Sequence, residues 1–275
     1  MLQQKLARLK QILASFPDVV IAYSGGVDST FLLKVATDVL GEKAVGVIGV
    51  SPSLAQAELQ EALRIAREFN WTVVTIPTHE MEDPNYVQNP QNRCYFCKKE
   101  LFGELFDFAR SRGFHVIADG TNVDDLGDTR PGLKAAAEFD VRSPLKEAGL
   151  HKQEIRELSR LMGLPTWNKP EMACLSSRFP TGVPITEAKL RQVEAAESIL
   201  RTLGFRQFRV RHHETLARIE VAPEEWTRWL DESLRETVHR EFRALGYRHV
   251  TLDVRPYQRK STPIQIVGHR QDESH

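Results

Sequence analysis

Four short apolar runs rich in β-branched residues, "DVVIAY", "AVGVIGV", "WTVVTIP" and "HVIAD", alternate with helical patterns through the first half of the chain. Strands that are apolar nearly throughout, and separated by helices, belong to a parallel sheet covered on both faces. The expected fold is therefore α/β. The spacing predicts helices from about Ser29 to Leu40, Leu54 to Phe69, Tyr95 to Arg112 and Lys152 to Leu161, the last stopping at Gly163-Leu164-Pro165. The stretch 120–150 reads as a loop frequent in Gly, Pro and Asp. After "PTWNKPEMACLSSRFPTGVPIT" the character changes. Thr186 suits the N-cap of a helix running to Leu203, with no capping box because Lys189 stands at N3. "FRQFRVRHHETLARIEV" reads as two strands, "EEWTRWLDESLRETVHREFRALG" as one helix and "HVTLDV" as a last strand. A boundary falls within 170–185, dividing a domain over 1–170 from a segment over 171–275 that holds a cysteine loop and a smaller α/β domain.

Composition narrows the function class. The chain has 275 residues, 41% hydrophobic, enough for a sizeable core. Basic and acidic residues balance at 37 each, which argues against a nucleic-acid ligand. There is no apolar run of membrane-spanning length, and "MLQQKLARLKQILASF" reads as an amphipathic helix, not a signal peptide. Three cysteines, an odd number, point to reduced thiols and a cytoplasmic protein.

The first strand breaks into Ser24-Gly25-Gly26-Val27-Asp28-Ser29 and a helix follows at once. A glycine-rich turn into a helix N-terminus is an anion site: backbone N–H groups point outward and the helix dipole favours negative charge. Glycines allow close approach, and serine hydroxyls add donors. The spacing is not that of the Walker P-loop. It resembles the pyrophosphate-binding loop of the N-type ATP pyrophosphatases, a superfamily that includes GMP synthetase, NAD synthetase and tRNA thiolation enzymes. That resemblance implies that Ser24, Gly25, Gly26, Asp28 and Ser29 bind ATP, with Asp28 helping to hold Mg2+. A second polar segment, Asp119-Gly120-Thr121-Asn122 with Asp124, Asp125, Asp128 and Arg130, follows a strand, where open α/β sheets bind ligands.

Cys94 and Cys97 sit in "NRCYFCKKELF" and Cys174 in "PEMACLSSRFP". Cys-x-x-Cys at a helix start suits a redox pair, half of a zinc site, part of an iron–sulfur site, or unrelated structural thiols. Cys174 has Arg178 close by in sequence, and a cation raises a thiol's nucleophilic fraction.

Together "SGGVDSTFLLKVA", "NRCYFCKKELF", "ADGTNVDDLGDTRPG", "EMACLSSRFPTG" and "FRVRHHETLARIEV" resemble the LarE family across nearly the whole chain. These are ATP-dependent sulfur transferases of nickel-pincer nucleotide cofactor synthesis. The resemblance implies that ATP adenylates a carboxylate of pyridinium-3,5-biscarboxylic acid mononucleotide and that Cys174 lies at the sulfur-transfer site. Two versions exist in the family. In one the cysteine gives up its own sulfur and becomes dehydroalanine. In the other three cysteines hold a [4Fe-4S] cluster that donates a sulfide, and Cys94, Cys97 and Cys174 match this second pattern. By the same resemblance Ser177, Arg178, Arg209 and Arg211 bind the substrate. Glu197 and Glu220 match positions beside that second site and are candidate metal ligands, and the assembly is a homohexamer. From the residues alone, Arg209 and Arg211 share one face of a strand, and a guanidinium fork suits phosphate. His212 and His213 read as solvated strand-end residues, and Trp226 and Trp229 as core or subunit-contact residues.

Three other functions fit part of this pattern. A tRNA thiolation enzyme would share the loop, the Cys-x-x-Cys and a cluster, but the neutral charge and lack of an aromatic–basic platform oppose it. A non-catalytic ATP-binding sensor leaves the cysteines unexplained. An amidating ligase would need ammonia, and no glutaminase domain is evident.

Overall fold

The computed structural model describes residues 2–127, 131–170 and 173–257. Asp128 and Arg130 lie outside them. By contacts the chain forms two compact units, one of residues 1–176 with 184–191, the other of 177–183 with 192–275.

In the first unit the elements run α1 (Leu2–Ala14), β1 (Val19–Ala22), α2 (Val27–Leu40), β2 (Ala44–Val50), α3 (Gln56–Glu68), β3 (Val73–Pro77), α4 (Pro84–Val87), α5 (Arg93–Arg112), β4 (Ile117–Ala118), α6 (Pro131–Glu138), α7 (Pro144–Glu147) and α8 (Lys152–Leu161). The four strands form a parallel sheet in the order β3-β2-β1-β4, with Val19 opposite Ala44 and Val20 opposite Ile117. Alternation along β1 sends side chains to two cores. Val19 and Ile21 pack with Leu9, Leu13, Leu32, Ile155 and Leu158 of α1, α2 and α8. Val20 packs with Phe102, Leu105, Ala109, Ala135 and Ala136 of α5 and α6. Helices therefore cover both faces, as the apolar strands require.

The stretch 120–150 is more ordered than its composition suggests: it holds a 3-10 turn at Val123–Gly127 as well as α6 and α7. Pro at the first helical position and the Ala-rich run "LKAAAE" outweigh the surrounding Gly and Asp.

Helix α9 (Glu187–Thr202) contributes residues to both units. The Thr186 hydroxyl accepts from the Lys189 amide at 3.3 Å, the expected N-cap bond. In the second unit β5 (Phe208–His213), β6 (Leu216–Val221) and β7 (His249–Leu252) form a mixed sheet in that order, antiparallel then parallel. The helix expected over 224–246 is broken. A 3-10 segment at Pro223–Leu230 ends at Asp231, whose side chain accepts from the Ser233 and Leu234 amides and starts α10 (Glu232–Ala244). Trp229 is buried and stacks on Phe205 at 5.3 Å, while Trp226 stays exposed.

Candidate functional site

At the end of β1, Gly25 takes φ +67°, a left-handed conformation suited to glycine. A Cβ there would lie 2.6 Å from the Ala62 Cβ on α3. The hydroxyls of Ser24 and Ser29 lie 3.1 Å apart and the Ser24 amide donates to Ser29 Oγ at 3.2 Å, so the two serines close the turn on itself. Gly26 is the N-cap of α2 and no side chain caps it. The first-turn amides are thus left without a capping oxygen, as an anion site needs. Ser24, Gly26, Asp28, Ser29, Asp119, Gly120, Thr121 and Asp125 line one cleft of about 430 Å3, within the size range of ligand sites. A larger hollow of about 530 Å3 lies on the exposed side of α1 around Gln4, Arg8 and Gln11, with none of these groups.

The second polar segment divides by role. Asp119 is buried and its carboxylate accepts from the Thr121 amide and hydroxyl and from Ser143 Oγ at 2.9 Å, which folds the turn. Gly120 lets this turn approach α2: a Cβ would meet the Ser29 amide nitrogen at 3.0 Å. Asn122 is buried, accepts from the Asp124 amide and points Nδ2 toward Asp28 at 3.5 Å. Asp28 itself is paired with Lys152. Burial raises the Asp28 carboxyl above its ordinary value, and Lys152 opposes this. One carboxylate with phosphate oxygens is a usual Mg2+ environment, so the residues fit that ion when ATP brings it.

Contacts of neighbouring residues hold the segment after Cys174 near the helix that carries Cys94 and Cys97. Cys94 lies in the first turn of α5 and is exposed, and Cys97 begins the second turn and is half-buried. Arg93 donates to the Ser176 carbonyl at 2.9 Å, and Tyr86 shares a 2.6 Å hydrogen bond with Ser176 Oγ. The Leu175 amide donates to the Ser53 carbonyl at 2.9 Å. The segment after Cys174 is thereby fixed beside the start of α5. Burial pushes the Cys97 thiol up, with Cys174, the buried Glu80 and Cys94 adding to the effect and Lys98 opposing it. A thiol so placed needs a cation to ionise. Three reduced thiols suit a [4Fe-4S] cluster with one iron left open. Among the described residues no group of three His, Cys, Asp or Glu side chains is poised to hold a metal ion.

In the second unit Arg178 and Glu197 form a buried bidentate pair, at 2.8 and 2.9 Å, and the Val210 amide also donates to Glu197. Arg211 pairs bidentately with Glu220 at 3.0 and 2.8 Å and donates to the Ser177 carbonyl, while Arg218 also meets Glu220. Both glutamates are thus engaged by arginines. Arg209 is buried over the Tyr257 ring at 5.0 Å, and burial, then Arg178, push its guanidinium below the ordinary value. His212 is not solvated: it is 1% exposed, between Phe179 and Tyr247, with Nε2 3.0 Å from Gln192 Oε1. His213 is half-buried, and burial, then Arg218 and Arg211, lower its pKa.

Several residues here escaped the sequence reading: Lys152, Arg93, Tyr86 and Lys169. Lys169 reaches Glu58 at 2.9 Å, Glu61 at 2.7 Å and the Gly25 carbonyl at 3.3 Å. Their partners are far away in sequence and no local pattern announces them; only Arg93, next to Cys94, had a neighbour to draw attention to it.

No helix among the described residues is long and apolar enough to cross a membrane. A family profile described as NAD synthase matches residues 2–98, which contain the glycine turn. An uncharacterized protein of Synechocystis sp. is 49% identical over 259 residues, 94% of this chain and 96% of its own. An uncharacterized protein of Methanocaldococcus jannaschii is 29% identical over 240 residues, 87% of this chain and 90% of its own. The pyridinium-3,5-bisthiocarboxylic acid mononucleotide synthase of Lactiplantibacillus plantarum is 37% identical over 254 residues, 92% of this chain and 91% of its own. With that likeness running from the glycine turn through the cysteine loop and both strands of arginines, the chain belongs to the LarE family.

Proposed function

We propose that this protein uses ATP to adenylate a carboxylate of pyridinium-3,5-biscarboxylic acid mononucleotide and then replaces the activated oxygen with sulfur. The observation that carries this reading is the uncapped start of α2, opening into the cleft that Asp28 and the Asp119–Thr121 turn also line. The turn amides and the Ser24 and Ser29 hydroxyls bind the phosphates, and Asp28 serves Mg2+. A carboxylate resists nucleophiles until its oxygen becomes a good leaving group, which adenylation supplies. Cys94, Cys97 and Cys174 would hold a [4Fe-4S] cluster, which supplies a sulfide when bound. Arg209 and Arg211, with Ser177 and Arg178, bind the substrate phosphate. Arg209 is buried over the Tyr257 ring and Arg211 is held by Glu220, so both guanidinium groups are fixed on one strand. Glu197 and Glu220 hold these arginines in place. A homohexamer is the expected assembly and the cytoplasm the expected location.

The test is anaerobic turnover. Protein, Mg2+–ATP and the biscarboxylic nucleotide should release pyrophosphate and AMP and give a product with oxygen exchanged for sulfur. Iron and acid-labile sulfide are measured in parallel on the wild type and Cys97→Ala. Pyrophosphate release independent of the carboxylate sinks the reading. An iron-free active protein that acquires dehydroalanine at Cys174 replaces the cluster route with sacrifice of that cysteine.

A further inference from the structure

Asp28 is already engaged. Its carboxylate is bound by the ammonium of Lys152, the first residue of α8. The two side chains are 20% and 24% exposed, so the pair is half-buried, with Asp28 on the lining of the cleft. Asp125, which lines the same cleft, adds negative charge close to Asp28. The Lys152 ammonium therefore balances charge at the carboxylate corner of the cleft, with Arg156 adding a weaker attraction to Asp28. The Lys152 backbone is fixed independently: its amide donates to Asp124 Oδ2 at 2.7 Å, and Asp124 Oδ1 lies 2.7 Å from His151 Nδ1.

Attraction to a carboxylate scales with charge, so a divalent ion displaces an ammonium from it. Mg2+ arriving with ATP needs one or two carboxylates and keeps phosphate oxygens as its other ligands. An ammonium released from Asp28, on a pinned backbone, stays within a side chain's length of the cleft that Asp28 lines. Its three rotatable donors suit phosphate oxygens.

We propose that Lys152 holds the place of Mg2+ at Asp28 in the nucleotide-free protein and, when Mg2+–ATP binds, yields Asp28 to the metal and contacts the phosphates. The inference rests on ATP occupying this cleft, which the wild-type titration tests by itself. The experiment uses the full chain and two probes: Mn2+ alone, read by loss of its free paramagnetic resonance signal, and Mg2+–ATP by calorimetry. Lys152→Met should bind Mn2+ severalfold more tightly than wild type, because Asp28 is no longer neutralised. It should bind Mg2+–ATP about tenfold more weakly, the worth of one hydrogen bond to a charged group. Adding Asp28→Asn should erase the gain in Mn2+ affinity. Opposite signs are the signature, since a merely structural lysine would weaken both. Should Lys152→Met not fold, Lys152→Gln serves as the second variant: Mn2+ affinity should again rise while Mg2+–ATP affinity falls. Parallel loss of both affinities, or no change in either, overturns the exchange. A wild type that binds no Mg2+–ATP overturns the cleft reading beneath it.

Discussion

Gly25→Ala reaches two costs that can be separated. A residue with a side chain at φ +67° carries about 1–2 kcal/mol of backbone strain. Its Cβ would also stand 2.6 Å from the Ala62 Cβ and 3.2 Å from the Ala62 Cα, so the turn or α3 must shift. Forcing a methyl into such a contact costs about 1–3 kcal/mol. The sum is on the order of 2–5 kcal/mol, a fall in melting temperature on the order of 10 °C for a unit of this size. Ala62→Gly alone weakens α3 by about 1 kcal/mol. In the double variant the shorter contact is gone while the backbone strain and the contact to Cα remain. It should therefore be more stable than the two single costs predict, by about 1–2 kcal/mol. Urea midpoints of the four proteins measure this, and calorimetry with Mg2+–ATP should show that affinity does not recover in the double variant. Strict additivity would refute the steric part of the reasoning, and a Gly25→Ala protein as stable as wild type would refute both parts.

Glu197→Gln leaves Arg178, 2% exposed, without its counter-charge and should destabilise the second unit by about 3–5 kcal/mol in urea unfolding. Adding Arg178→Met should recover part of that loss. Glu147 gives a pH prediction. Its carboxyl is held below the ordinary value, first by the Arg142 hydrogen bond, against the opposing effect of burial. The stability it contributes is present above the unfolded value, about pH 4.3, and is lost as pH falls through the lower folded value. Glu147→Gln should flatten the acid limb of a melting-temperature profile, and an unchanged limb would contradict the assignment.

Much of the first unit was legible because its signals are local. Period and β-branching gave the strands, and glycines between a strand and a helix gave the turn from β1 into α2. The misreadings divide into two kinds. Some had a local signal that a competing pattern hid. Asp231 followed by Glu232 and Ser233 is a helix start within an apparently continuous helical run. Likewise, period-two counting along β5 puts His212 with Phe208 and Val210 on the core face, opposite Arg209 and Arg211. Others had no local signal at all. Asp28 and Lys152 are 124 positions apart, and nothing near either residue tells of the other. The partners of Glu197 and Glu220 were hidden likewise, because a lone carboxylate does not reveal which arginine faces it.

The contacts that bring the cysteine loop to α5 come from Arg93, Tyr86 and Ser53, none of which is a cysteine. Shape and chemistry are therefore stored in different residues. A substitution at position 94 or 97 removes none of these contacts. The loop is thus held against α5 by residues on either side of the thiols, whatever those thiols carry.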